Sequence, residues 1–326
     1  MSVDEETLTA AVRRHLDSSV EVAGLRRLTG GASNETWSFE LVAADDSRQP
    51  LILRIDRRGN WLGPTTEARL LRAADAAHVP VPRVRFVLDE QDGLGAGYVM
   101  SHVEGETIPR RILRDERFAR ARPQMARQAG RIAARLHAIP LDEAPELPGF
   151  PGHDHPATAQ IEQQRELLDT YGEPHPVFEL ALRWLEQRVP AFAGATLVHG
   201  DFRNGNFVVG EDGIRAVLDW ELAHIGDPVE DLGWLCVPSW RFRELDHPVG
   251  GFGHYDDLLA GYAEVSGREV DREAIRFWEV LGTVKWGVIC IVQAFTHLEG
   301  LHRSVELAAI GRRVSEMEHH LLEMID

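Results

Sequence analysis

Apolar positions along this chain follow two regimes. Over roughly the first third they come in short runs or alternate with polar residues; from about residue 109 onward they mostly recur every three or four positions. The exception near the start is 5–16, where Leu8, Val12 and Leu16 have helical spacing. The stretches 20–28, 37–41, 51–55, 85–88 and 98–102 predict five strands. Between the third and the fourth, 64–77 predicts a helix, with Pro64 at its start and Leu70, Leu71 and Ala74 on one face. The VPVP segment at 79–82 must be extended or turn-like. Further on, 124–139, 157–170, 176–189, the residues from 229, 271–297 and 304–324 predict helices. The stretch 140–156 is rich in Pro, Gly and His and predicts a loop. Strand signals return only at 195–198, 207–209 and 214–218, the last two forming a hairpin across a Gly210–Gly213 turn. The expectation is an α+β protein of two lobes. Residues 1–102 carry a five-stranded antiparallel sheet with one helix between its strands, and 103–326 are mainly helical, with an insertion at about 140–190.

The late strands frame the candidate chemistry. Residues 197–221 read LVHGDFRNGNFVVGEDGIRAVLDWE. Asp201 and Asn206 lie on the loop after the first of these strands, and Asp219 follows the last, so paired strands can bring the three together. His, one residue, Asp, four residues and Asn is the spacing of a kinase catalytic loop. A carboxylate that accepts a hydroxyl proton, beside an amide oxygen and a second carboxylate, suits phosphoryl transfer. Mg²⁺ takes hard oxygen ligands, few of them from the protein. Asp201 is therefore the candidate base, and Asn206 and Asp219 the candidate Mg²⁺ ligands. Upstream, the TGGASNET segment at 29–36 predicts a glycine-bearing hairpin loop, from which Ser33 and Asn34 can reach a phosphate.

HGDFRNGN, then VLDWE, then GDPVEDLGW, resemble the aminoglycoside phosphotransferase and choline kinase family. The resemblance runs from about residue 26 to the final helices. It is similar in particular to the kinase-like domain fused to some acyl-CoA dehydrogenases. It implies a bilobal protein-kinase-like fold and transfer of the γ-phosphoryl group of ATP, with Mg²⁺, to a hydroxyl of a small molecule. Arg54, in LILRID, stands where the family pattern has a phosphate-holding lysine. Arginine keeps the charge and adds a bidentate fork. Glu67 is its expected partner. The GYVMSHVEG segment matches the connection between lobes, so adenine is expected against Met100, Ser101, His102 and Val103. The resemblance also makes His137 and His199 structural, lets Glu221 support the metal through water, and gives Asp227 and Asp231 supporting roles. Asp227 is expected both to cap the helix that follows and to brace the catalytic loop. The aromatic and arginine-bearing stretch 240–255 is a candidate wall of the acceptor pocket.

Composition narrows the partners. The chain of 326 residues is 44% hydrophobic and 27% charged, which indicates a folded protein. Its net charge of −17 argues against nucleic acid, whose phosphates are met by basic surfaces. The same charge suits solubility or attraction of a cationic substrate. Cys236 and Cys290 lie far apart in apolar surroundings and suggest neither a disulfide nor a metal site. No signal-peptide pattern or long uncharged run is present, so the expectation is a cytoplasmic enzyme with no membrane contact and no protein partner. The acceptor stays open among aminoglycosides, hydroxyacyl compounds, choline, sugars and macrolides. Arg54 also leaves open a nucleotide-binding pseudokinase.

Overall fold

A computed structural model describes residues 3–28, 34–57, 59, 62–192 and 194–325. Five strands form one antiparallel sheet: β1 (Glu21–Leu28), β2 (Asn34–Val42), β3 (Arg48–Asp56), β4 (Val84–Val87) and β5 (Gly97–Ser101), in the order β1-β2-β3-β5-β4. The fold is the expected kinase-like α+β arrangement. Helix α1 (Glu5–His15), capped by the Asp4 carboxylate, covers one face of the sheet. Leu8 and Val12 pack there with Leu51, Leu53, Ile55 and Val99. Helix α2 (Gly63–Ala76) covers the other face, where Leu70, Leu71 and Ala74 join Ile52, Tyr98 and Met100. Side chains of a strand alternate faces, so β3 sends its odd-numbered apolar residues to α1 and Ile52 and Arg54 toward α2. Pairing of Arg54 with Tyr98 in the β3–β5 register holds that placement.

β2 begins three residues earlier than its apolar run suggested. Asn34, expected in the preceding loop, opens the strand opposite Asp56, because the ladder with β3 extends through Glu35 and Thr36. The loop proper, with Ser33, lies outside the described residues, as does the side chain of Asn34.

The rest of the chain is helical around two small ribbons. Helices α3 (Pro109–Arg114), α4 (Arg122–His137), α5 (Pro156–Tyr171) and α6 (Pro176–Glu186) precede β6 (Thr196–Val198). Then come β7 (Phe207–Gly210), β8 (Gly213–Val217) and β9 (His224–Gly226), with β6 paired to β9 and β7 to β8. Helices α7 (Val229–Cys236), α8 (Tyr255–Ser266), α9 (Arg272–Leu298), α10 (Val305–Gly311) and α11 (Val314–Met324) complete the chain. Helices α4 and α8 approach closely through glycines. A Cβ on Gly130 would lie 2.1 Å from the Leu258 carbonyl, and one on Gly261 2.1 Å from the Arg127 carbonyl. The long α9 buries Phe277, Trp278, Val280, Leu281 and Val284. No described helix is long and apolar enough to cross a membrane. The single helix expected over 304–324 is instead two. Gly311, a poor helix interior residue, lets the chain come within 2.6 Å of Ala294, measured from the position its Cβ would take.

Candidate active site

The β6–β9 and β7–β8 ribbons set the site. The loop 199–206 leaves β6 and returns as β7, and the segment 218–223 leaves β8 and returns as β9. Both loops therefore emerge side by side below the five-stranded sheet. Gly200 makes the first loop possible: its φ is 78°, and a Cβ there would sit 2.3 Å from the Leu222 carbonyl of the second loop.

His199 is fully buried and joins the two loops. Its Nε2 lies 3.1 Å from the Leu218 carbonyl, and its Nδ1 accepts the Asp201 N–H at 3.2 Å. That pattern assigns the neutral ring with the proton on Nε2. Burial, the largest influence, pulls its pKa down despite the nearby carboxylates of Asp231 and Asp201. Asp231 on α7 accepts the His199 N–H at 2.8 Å and the Gly200 N–H at 3.0 Å. His137 on α4 meets the same carboxylate at 3.1 Å and contacts the Tyr262 hydroxyl at 3.1 Å. The brace expected of Asp227 thus belongs to Asp231. Asp227, two residues ahead of α7, accepts from the Val229 N–H of its first residue at 2.8 Å.

Asp201 is fixed by three donors. Arg203 Nε and Trp234 Nε1 each donate to its Oδ1 at 2.8 Å, and Asn206 Nδ2 donates to its Oδ2 at 2.6 Å. With the Asn206 amide nitrogen committed there, its Oδ1 accepts no hydrogen bond among the described residues. Asp219 stands at φ 67°, a left-handed conformation that Asp tolerates better than most residues. Arg54 Nη2 reaches across from β3 to Asp219 Oδ1 at 2.7 Å, with Glu67 at 3.4 Å and Glu221 at 3.6 Å. The Arg54–Glu67 pairing read from sequence is present, but the shorter contact is to Asp219. Glu67 is buried beneath Arg54, near the buried Tyr98. Burial, above all, pushes its carboxyl up to about 7; Arg54 pulls it down, while Asp219 and Glu221 push it further up.

Asp201 thus pairs with Arg203 while Asp219, Glu221 and Glu67 gather around Arg54, so carboxylates outnumber guanidiniums here. An amide oxygen and a carboxylate facing such an excess form an oxygen donor set suited to Mg²⁺. At the junction of the lobes, Ser101 N–H is used by the Arg83 carbonyl and His102 N–H by the Pro50 carbonyl. Among the described residues the Val103 N–H has no acceptor. Met100, 8% exposed, is packed in the core behind this junction.

Sequence reasoning missed several parts. Trp234 and Arg203 hold Asp201, although both sit inside motifs that were recognised. An aromatic cluster of Trp234, Trp240 and Trp286 lies beside them, with Arg203 4.3 Å from the Trp240 ring centre. The indole N–H groups of Trp240 and Trp286 have no partner among the described residues. Lys285 lies 5.2 Å from the Trp234 ring and marks the edge of a cavity of about 480 Å³. Phe150, Gln160, Leu222, His224 and Ile289 also line it. At the edge of that cavity, buried Glu230 meets Gln160 at 2.6 Å, His224 at 3.1 Å and Lys285 at 3.3 Å. The residues of this ion network lie up to 125 positions apart in sequence, and nothing local signals them.

The sequence matches the model of the phosphotransferase enzyme family over residues 24–268, and the chain belongs to that family. Among curated proteins it is similar to a probable acyl-CoA dehydrogenase, IBR3, of Arabidopsis thaliana. That match is 31% identical over 68% of this chain and 29% of the relative. The chain thus spans less than a third of that relative's length. It is also similar to the 4-hydroxytryptamine kinase of Psilocybe cubensis, at 22% identity over 86% of this chain and 85% of that enzyme. Among solved structures, a Ralstonia eutropha protein assigned as an aminoglycoside phosphotransferase has the same fold. Its TM-score is 0.74 at 22% identity, covering 99% of this chain and 98% of the other. The fold is shared as well by aminoglycoside phosphotransferase APH(4)-Ia in ternary complex with AMP-PNP and hygromycin B. There the TM-score is 0.63 at 14% identity over 98% and 97% of the two chains.

Proposed function

We propose that this protein transfers the γ-phosphoryl group of ATP to a hydroxyl of a small molecule. The observation that carries the reading is that two adjoining loops bring Asp201, pinned by Arg203, Trp234 and Asn206, together with Asp219, whose neighbour Leu218 donates its N–H to the Asn206 carbonyl at 2.8 Å. In this reading residues 1–102 are the nucleotide-binding lobe and 103–326 the catalytic and acceptor-binding lobe. Adenine lies against Met100 to Val103, with the Val103 N–H as donor, and Ser33 and Asn34 belong to the loop over the phosphates. Asn206 and Asp219 hold Mg²⁺, which when bound neutralises charge on the phosphate oxygens.

Asp201 accepts the proton of the acceptor hydroxyl as its oxygen attacks phosphorus. The bond from the γ-phosphorus to its bridging oxygen breaks, and ADP leaves with the electron pair. Arg54, anchored by Glu67, is the guanidinium that would meet the phosphates, and Asp219, now paired with it, would be shared with the metal. Catalysis of this kind rests on positioning and electrostatics.

The acceptor enters through the cavity beside Trp234 and Lys285. Its lining joins apolar Phe150, Leu222 and Ile289, which suit an acyl chain, to Glu162 and Glu166, which suit a cationic sugar, so hydroxyacyl compounds and aminoglycosides both belong in the acceptor panel. The second reading, a pseudokinase, is favoured by one observation: Arg54 already occupies the Asp219 carboxylate. The two part on whether any acceptor is phosphorylated; ligand response tests the metal assignment. The kinase reading expects Mg²⁺ and ATP together to raise the melting temperature of the wild type. In Asp219→Ala the metal-dependent part of that rise should disappear. An ATP response that is the same with and without Mg²⁺ in the wild type would overturn the metal assignment.

A further inference from the structure

A cavity of about 670 Å³ opens between α3, the segment after α7 and α11, and its chemistry is unlike the rest of the molecule. The chain carries a net charge of −17, yet Arg110, Arg114, Arg243, Arg313, His319 and His320 all line this one concavity. Three carboxylates answer them: Glu316 pairs with Arg313 at 3.2 Å, Glu244 with Arg114 at 3.7 Å, and Glu323 with His320 at 3.5 Å and His319 at 3.6 Å. Arg110 and Arg243 make no hydrogen bond or ion pair among the described residues. Both are exposed to solvent at the cavity. Arg243 is held there by two successive left-handed residues, Phe242 at φ 49° and Arg243 at φ 76°, an arrangement non-glycine residues adopt only under constraint. The floor is built from buried Ser239 and Met317, with the Ser239 hydroxyl 3.3 Å from Arg313 Nη2.

The cavity also borders the site. Arg313 lies 5.8 Å from the Trp286 ring, which packs at 4.8 Å on Trp240, which in turn lies under Arg203. Pro109, beside Arg110, approaches Gly205 of the catalytic loop, 3.7 Å from where its Cβ would be.

We propose that this cavity binds a small anion bearing phosphate groups, at a place separate from the nucleotide. Guanidinium forks match phosphate oxygens bidentately, and two unpaired forks beside two paired ones leave a local positive excess. A molecule this acidic repels extended polyanions at long range, so a small anion in a concave pocket is the fitting ligand, not nucleic acid. The anion has two sources: the far end of a phosphate-bearing acceptor, or a free phosphate compound acting beside the site. The choice of source rests on the phosphotransferase reading; the site itself does not.

Calorimetric titration with inorganic pyrophosphate, in EDTA and at low ionic strength, tests the site without any catalysis. The wild type should bind with a Kd at or below roughly 1 mM. The Arg110→Gln/Arg243→Gln double variant should bind about tenfold or more weakly, a loss of about 1.4 kcal/mol, with the thermal shift by Mg²⁺-ATP unchanged. Equal binding by wild type and variant, or none by the wild type, would overturn the proposal. If the double variant does not fold, Arg110→Gln alone carries the comparison. Once an acceptor is in hand, competition of pyrophosphate with it assigns the site to the acceptor's own phosphate. Inhibition that is not competitive assigns it to a free anion.

Discussion

At the scale of single residues, the site is a set of commitments between neighbours. Asp201 gives both oxygens to fixed donors, so its orientation is set before any substrate arrives. Trp234→Phe keeps an aromatic ring, though a smaller one, and removes one of those donors. A hydrogen bond to a charged group contributes about 1.5–3 kcal/mol, so turnover should fall roughly ten- to a hundredfold with little change in KM for ATP. A loss confined to ATP binding would mean that Trp234 does not act through Asp201. Gly200 is a second commitment. Gly200→Ala would add a Cβ 2.3 Å from a backbone oxygen at φ 78°, and should cost about 1–3 kcal/mol of stability; urea unfolding measures it. Asp201, Asn206 and Asp219 were legible because one local loop-and-hairpin pattern carries all three. Arg54 at Asp219 was not: 165 residues separate them, and only the assembled lobes show that contact.

At the scale of elements, two placements decide the chemistry. The alternation of β3 puts Arg54 on the α2 face; a one-residue slip would turn it to the α1 core. Helix α7 carries Asp231 under the loop 199–206, where it takes two backbone N–H groups and His137. Asp231→Ala would leave those buried donors unmatched. Stability should drop by roughly 3 kcal/mol or more, and turnover should fall with it because the loop loses its brace. Unchanged melting would remove Asp231 from this role. The sheet, α1, α2 and the long α9 were legible in apolar periodicity. Strand β9 was not, since three residues with one apolar side chain give no pattern; its partner β6 stabilises it. Helix α8 falls mostly in 256–266, where no element was predicted; its Gly261, a poor helix residue, serves the close packing on α4.

At the scale of the whole molecule, buried charge ties distant elements together and makes stability depend on pH. Burial alone would raise the Glu230 carboxyl, but His224 and Lys285 outweigh it and hold it at about 2. His224 is likewise opposed by burial and raised above 6.5 by Glu230. Glu230 therefore adds stability above its ordinary 4.5 that is lost as pH falls toward about 2. His224 adds stability below 6.5 that is lost as pH rises through its raised value. This network favours a stability maximum between those limits, and Glu230→Gln should flatten both slopes and cost about 3 kcal/mol. An unchanged pH profile in that variant would rule the network out as the source. The central claim is phosphoryl transfer with Asp201 as base. Its most direct test is the mass of phosphorylated product formed from Mg²⁺-ATP and a panel of hydroxyl acceptors, hydroxyacyl compounds and aminoglycosides included, by wild type and Asp201→Asn. The account predicts an acceptor-dependent product from the wild type and a rate at least about a hundredfold lower from the variant, with ATP binding kept. Equal rates from the two proteins, or ATP bound by the wild type with no acceptor phosphorylated, would contradict it.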